Sequence, residues 1–137
     1  MVLPAKPEKI FEMITDYENI IKFFPAQLRE IKIINKSNNE TITQETITIS
    51  SIIKLNFTQK TKHNILGDFI IESLIVEGPL EGTLLRTEIQ KENEGTKVLV
   101  TFDIKTRLRY KILTPLIKKE YKNIMRAFFY KVNTLAQ

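Results

Sequence analysis

Apolar positions along the chain change their period twice, and the changes divide it into three parts. In the first, Ile10, Phe11 and Ile14 recur at helical spacing behind Pro7, whose fixed φ suits a first helical turn, while Glu8 favours the positive helix end. Asp16 is placed to cap a second short helix, Tyr17 to Phe23, with Ile20, Ile21 and Phe24 as its apolar side and Pro25 as its stop. Val2–Leu3 ahead of both reads as a stub of strand.

From Leu28 onward the period is two. Ile31 and Ile33 alternate with Glu30 and Lys32, and the Asn35–Asn39 cluster marks a turn. Over Thr46–Lys60, Ile47, Ile49, Ile53, Leu55 and Phe57 share one parity, with Ser50–Ser51 as a turn or bulge between two strands. Ile65–Glu77 reads as a further strand, with Phe69, Ile71, Ser73 and Ile75 on one face; apolar residues on its other face make it central or covered. Gly78-Pro79 breaks it. Thr83–Glu92 and Lys97–Leu108 form a hairpin through Asn93-Glu94-Gly95, with Val98, Val100, Phe102 and Ile104 on one face of the last strand.

The tail, Leu113–Leu135, returns to a 3.6 period. One arc holds Leu113, Ile117, Tyr121, Ile124, Met125, Phe128, Val132 and Leu135; Lys118, Lys119, Lys122 and Arg126 fall opposite, with Phe129 among them. Such a helix is about 20 residues, or roughly 30 Å, long. It is the only long cover for the apolar face of an antiparallel sheet. The predicted class is therefore α+β: a curved sheet of about six or seven antiparallel strands wrapped around a long C-terminal helix, with two short helices near the N-terminus. Residues 1–137 are expected to form one domain.

Composition narrows the chemistry. The absence of cysteine excludes disulfide frameworks, thiol catalysis, zinc fingers and iron–sulfur clusters, and a single histidine excludes a multi-histidine metal site within one chain. No metal or cofactor is expected. The opening residues lack the apolar core of a signal peptide, and no apolar run approaches the ~20 residues of a membrane span, so a soluble cytoplasmic protein is expected. Charge is uneven: residues 105–137 carry nine basic side chains against Glu120 alone, a net +8, whereas residues 1–104 net −3. The positive charge belongs to the C-terminal end, which suits an anionic partner.

Four pieces of sequence carry a family resemblance. They are Pro4-Ala5-Lys6-Pro7-Glu8-Lys9-Ile10-Phe11 leading into the first helix, Ile14-Thr15-Asp16-Tyr17-Glu18-Asn19 with Phe23-Phe24-Pro25, Val76-Glu77-Gly78-Pro79-Leu80, and the closing amphipathic helix. Together they resemble the START-like, or helix-grip, superfamily (SRPBCC; polyketide cyclase/dehydrase and lipid transport). The likeness is strongest to the branch of coenzyme-Q-binding proteins and the bacterial ribosome association toxin. It implies a helix-grip fold with a hydrophobic hollow between sheet and helix. It also implies binding or transport of a hydrophobic small molecule such as a lipid or isoprenoid quinone. That branch follows Gly-Pro with a strand carrying an inward Trp; Thr87 stands there in this chain, which implies a larger or reshaped hollow.

On the predicted register the hollow is lined by Ile49, Leu55, Phe57, Phe69, Ile71, Ile75, Thr87, Ile89, Val100 and Phe102, with Ile47 and Ile53, and roofed by Tyr121, Ile124, Met125 and Phe128. These residues either form a ligand pocket or meet and fill the core. Pro25 and the loops at Gly67 and Gly78 would flank its entrance. His63, in the polar stretch Lys60–Asn64, is expected at a strand end or turn on the surface, with no acid/base partner indicated. Glu72, Glu88 and Asp103 read as solvent-facing, so no catalytic constellation stands out and binding without catalysis is expected. Lys118, Lys119, Lys122 and Arg126 are either a solvated face or a contact for an anionic membrane or ribosomal RNA; nothing points to DNA. The alternatives to small-molecule binding are thus a ribosome- or RNA-associated regulator, as the toxin resemblance implies, and a cyclase- or dehydratase-like enzyme, as the superfamily label implies.

Overall fold

The computed structural model describes residues 1–24, 28–50 and 54–136, without the side chains of residues 49, 50 and 108–110. Pro7 occupies the first turn of helix α1 (Pro7–Ile14), which buries Pro7, Ile10 and Ile14. The expected second helix shortens to a 3-10 turn, Ile20–Phe23, and Asn19 rather than Asp16 stands at its cap. The Asp16 carboxylate instead accepts a hydrogen bond from the Asn19 side chain at 2.9 Å, while its backbone carbonyl receives the N–H groups of Asn19 and Ile20.

Seven strands follow the predicted order: β1 (Val2–Leu3), β2 (Leu28–Lys36), β3 (Glu40–Ser50), β4 (Lys54–Gly67), β5 (Ile70–Glu77), β6 (Leu84–Glu92) and β7 (Gly95–Asp103). They form one antiparallel sheet in the order β1-β7-β6-β5-β4-β3-β2. Consecutive strands from β2 to β7 pair with their neighbours, and β1 closes the far edge on β7. Register shifts interrupt β2 against β3 and β4 against β5, and such irregularities bend a sheet. Beyond β7, a 3-10 segment (Leu108–Leu113) leads into helix α2 (Thr114–Ala136), which at 23 residues is roughly 35 Å long.

Two expectations about β4 need correction. It does not end near Lys60 but runs 14 residues to Gly67, so Ile65–Glu77 is the end of one strand and the whole of the next. The reversal between them places Gly67 at φ 143° and Phe69 at φ 61°; Phe69 is thus a turn residue rather than a strand residue. His63 consequently lies inside a long strand, paired with Thr41 on one side and Ser73 on the other. Polar side chains hid this continuity, because Gln59, Thr61 and His63 keep the parity of Leu55 and Phe57 without being apolar.

Buried side chains form two clusters. One joins Leu3, Ala5, Ile10 and Ile14 to Ile71, Ile89, Val98, Phe128, Phe129 and Val132. The other joins Ile47, Ile75, Leu80, Ile104, Ile117 and Tyr121. Phe129, expected among the exposed cations of the C-terminal helix, is only 1% exposed and packs edge-on against Phe128 with centroids 5.0 Å apart. A single-face helical pattern does not foresee this, since α1 and the N-terminal segment cover a second side of α2. The Ala5 N–H donates to Asn133 Oδ1 at 3.0 Å, and Thr96 Oγ1 donates to the Ala5 carbonyl at 2.6 Å, tying that segment to both helix and sheet. Leu135, expected on the buried arc, is exposed.

Candidate ligand-binding cavity

Between sheet and α2 lies a partly open cavity of about 150 Å³. An engineered protein cavity of that volume accepts a benzene-sized ring. Its walls come from both buried clusters: Ile14, Tyr17, Ile20 and Phe24 from the N-terminal helices, Leu28 and Ile31 from β2, and Ile47, Ile71, Ile75, Leu85 and Thr87 from the sheet. Tyr121, Ile124, Met125, Phe128 and Phe129 of α2 complete it. Phe24 stacks on Phe128 with centroids 4.2 Å apart, closing one corner.

The sequence-predicted lining residues divide into two groups. Ile71, Ile75, Thr87, Tyr121, Ile124, Met125 and Phe128 face the cavity, as does Ile47. Leu55, Phe57 and Phe102 pack instead against the cluster around Ile75 and Ile117, and Ile89 and Val100 belong to the cluster around Phe129. Phe69 packs edge-on against Phe11, centroids 5.1 Å apart, at the β4–β5 turn. A shared parity puts all of these on one face of the sheet, but the cavity occupies only part of that face. The side chain of Ile49, and Ile53 and Pro25 altogether, lie outside the described residues. At the other loop named for the entrance, Gly78 has φ 119°, and a Cβ there would meet Gln59 Cβ at 3.0 Å and Thr58 O at 3.1 Å. The Gly-Pro turn therefore presses directly on a residue of the cavity wall. Gly67, in the β4–β5 turn, is not among the lining residues.

Polar residues absent from the predicted lining form one side of the cavity. Thr43, Glu45, Gln59, Thr61, His63 and Ser73 all line it, on three adjoining strands. Glu45 stands opposite Gln59, Thr43 opposite Thr61, and His63 opposite Ser73 in the strand registers. Directly opposed side chains on one face bring their Cβ atoms to about 5 Å, which gathers the set into one patch. The one available signal was parity: counting back from Ile47 and forward from Phe57 reaches every one of the β3 and β4 members.

His63 has both ring nitrogens engaged, Nε2 with Thr43 Oγ1 at 2.8 Å and Nδ1 with Ser73 Oγ at 2.7 Å. Its ring stacks on Tyr17 at 4.6 Å between centroids. Burial lowers its pKa to about 4, so it is neutral near pH 7. The expected surface histidine is therefore an interior one, held by two hydroxyls that satisfy its polar atoms.

Glu45 is the opposite case. Burial pushes its carboxyl up to about 7, with Thr61, Gln59 and Thr43 beside it favouring the charged form and offsetting part of the shift. Glu45 Oε2, Gln59 Oε1, Thr61 Oγ1 and the Tyr121 hydroxyl are buried without a hydrogen-bond partner among the described residues. Burial also raises the pKa of Tyr17 and Tyr121 well above the ordinary phenol value, with the Glu45 charge adding to both, so both hydroxyls stay protonated. Unpartnered buried polar atoms are costly, and here several converge on one cavity.

Elsewhere, Glu72 and Glu88 flank Arg86 at 3.0 and 3.2 Å, a partly exposed ion-pair triad, and Asp103 is exposed. Lys118, Lys119, Lys122 and Arg126 are all exposed along the outer face of α2 and form no ion pair among the described residues. Among those residues no cluster of metal-ligating side chains occurs, and no helix is long and apolar enough to cross a membrane.

No protein-family model and no curated protein sequence matches the chain. Solved structures do. TTHA0849 from Thermus thermophilus aligns with TM-score 0.80 at 13% identity, covering 98% of this chain and 91% of that one. The Zhui aromatase/cyclase from Streptomyces sp. R1128 aligns with TM-score 0.84 at 12% identity, covering 99% and 89%. Ara h 8.0201 aligns with TM-score 0.65 at 18% identity, covering 98% and 94%. At these identities the likeness is one of architecture: the chain has the helix-grip fold.

Proposed function

We propose that the protein binds a hydrophobic small molecule in the cavity between its sheet and α2, without catalysing a reaction on it. The observation that carries this reading is the cavity itself: mostly aliphatic and aromatic walls surround a space of about 150 Å³, with a smaller set of polar groups contributed chiefly by β3, β4 and β5. That is the general composition of small-molecule sites. Affinity would come from burial, at about 0.8 kcal/mol for each enclosed CH₂. A lipid or isoprenoid-quinone-like ligand, as the sequence resemblance implies, would seat a ring-sized group inside and pass its tail through the open side.

Binding rather than turnover is proposed because His63, the only imidazole, has both nitrogens committed to Thr43 and Ser73. A cyclase-like activity remains the enzymatic alternative, supported by the name of the Zhui neighbour; turnover of an aromatic polyketide that Glu45→Gln abolishes would establish it. Uptake of the neutral fluorescent probe N-phenyl-1-naphthylamine tests the binding reading. Ile71→Trp, or Thr87→Trp where the resembling branch carries Trp, fills the cavity and should abolish uptake while the fold persists. Unchanged uptake in both variants would refute the site.

The exposed cations of α2, which form no ion pair among the described residues, support a second reading, contact with an anionic membrane or a ribosome. Cosedimentation with ribosomal particles at low salt, lost on charge reversal of Lys118, Lys122 and Arg126, would support the ribosomal form; no cosedimentation would end it.

A further inference from the structure

We propose that the cavity is selective for an apolar molecule carrying a basic amine, with the ammonium group seated at Glu45 and Gln59. The proposal rests on the cavity being a ligand site and adds the chemistry of what it takes. Four atoms define the polar side. Glu45 Oε2 and Gln59 Oε1 are acceptors, Thr61 Oγ1 and the Tyr121 hydroxyl accept or donate, and all four are buried without partners among the described residues. Their residues are each more than nine-tenths buried and each lines the cavity. Glu45 and Gln59 are directly paired across β3 and β4, so their side chains stand next to each other on one face of the sheet.

An ammonium ion supplies what this arrangement lacks. It brings three donors and one positive charge to a site whose unpartnered atoms are acceptors or hydroxyls. The charge of the walls points the same way. The titratable groups lining the cavity are Glu45 on β3, His63 on β4, Tyr17 after α1 and Tyr121 on α2; no lysine or arginine is among the described lining residues. His63 is neutral near pH 7 and the two tyrosines stay protonated, so the lining carries either no charge or the single negative charge of Glu45. A carboxylate ligand such as a fatty acid would set two like charges together in an apolar enclosure. A neutral ligand without donors would leave the Glu45 charge to the neighbouring side chains of Thr61, Gln59 and Thr43 alone. The cavity as a whole, about 150 Å³, has the volume for a ring-sized body, and its open side leaves room for the rest of the molecule.

Titration calorimetry on the intact protein with three probes of one phenylpropyl body separates the cases: 3-phenylpropylamine, 3-phenyl-1-propanol and 3-phenylpropionate. At about pH 8, where Glu45 is ionised, the amine should bind about tenfold tighter than the alcohol, and the propionate weakest. Glu45→Gln should cut the amine's advantage over the alcohol to about threefold or less, with alcohol binding little changed. Lowering the pH of wild type to about 5.5 should do the same, which keeps the test decisive if the variant does not fold. At about pH 6, amine binding should release close to one proton, as Glu45 is held ionised by its partner. Equal binding of amine and propionate, or an amine preference that survives in Glu45→Gln, would overturn the proposal. Alcohol binding that Thr87→Trp abolishes would still leave the cavity a ligand site in that case. If none of the three probes binds, both readings fall.

Discussion

Glu45 and His63 face the same cavity from neighbouring strands, and burial acts on them in opposite directions. The Glu45 carboxyl is raised from 4.5 to about 7, so the folded state holds a proton that the unfolded state has released between those values; this contribution to stability falls as pH rises through that window. His63 is lowered from 6.5 to about 4, so the unfolded state takes up a proton first as the solution is acidified, and stability is lost as pH falls from 6.5 toward 4. Over their shared range the two slopes oppose one another. Denaturant titrations should therefore show wild-type stability nearly level between about pH 4.5 and 6.5. Glu45→Gln should lose stability on acidification across that range, and His63→Gln should instead lose it as pH rises to 7. Parallel profiles in the two variants would refute the assigned burial of both groups. These roles were not legible from residue type. A polar side chain at an inward strand position reads as a strand end unless a cavity sits beneath it, and nothing local in Lys60–Asn64 announces a cavity.

At the scale of elements, the order of helices and strands was legible because the period changes twice and Pro7, the Asn35–Asn39 turn, Gly78-Pro79 and Asn93-Glu94 mark where individual elements begin or end. Two elements were not, and each for a tertiary reason. The continuity of β4 past Gln59 depends on partners in β3 and β5, and the burial of Phe129 depends on α1 covering a second side of α2. The second point separates two faces of one helix by measurement. Phe129→Ala should cost about 3–5 kcal/mol in chemical denaturation, as for other buried aromatic truncations. Reversal of Lys118 or Lys122 should stay within about 0.5 kcal/mol, the range for exposed sites. A mild Phe129→Ala would return that side chain to the surface, where the helical wheel alone puts it. Gly78→Ala should also destabilise, by about 1–3 kcal/mol, since its positive φ and the nearby Gln59 both resist a side chain. Because Gln59 lines the cavity, the same change should weaken uptake of the neutral probe.

For the molecule as a whole, the sheet wraps one helix and leaves a hollow where neither cluster of buried side chains fills the space. Sequence periodicity located two of the surfaces around the hollow, β3 to β6 and α2, because both carry long apolar faces. It did not mark where on those surfaces the side chains stop meeting; Leu55, Phe57, Phe102, Ile89 and Val100 share the right face yet pack in or against the buried clusters rather than on the cavity. Nor did it reveal the polar side, which distinguishes a ligand site from an apolar void. Whether the hollow holds a ligand is the claim on which the other readings stand. Native mass spectrometry of gently purified protein, followed by organic extraction of whatever it releases, tests it most directly. The account predicts a discrete small-molecule adduct on wild type that Thr87→Trp does not carry. An unliganded mass for wild type that persists after incubation with lipid extracts and with 3-phenylpropylamine would contradict it.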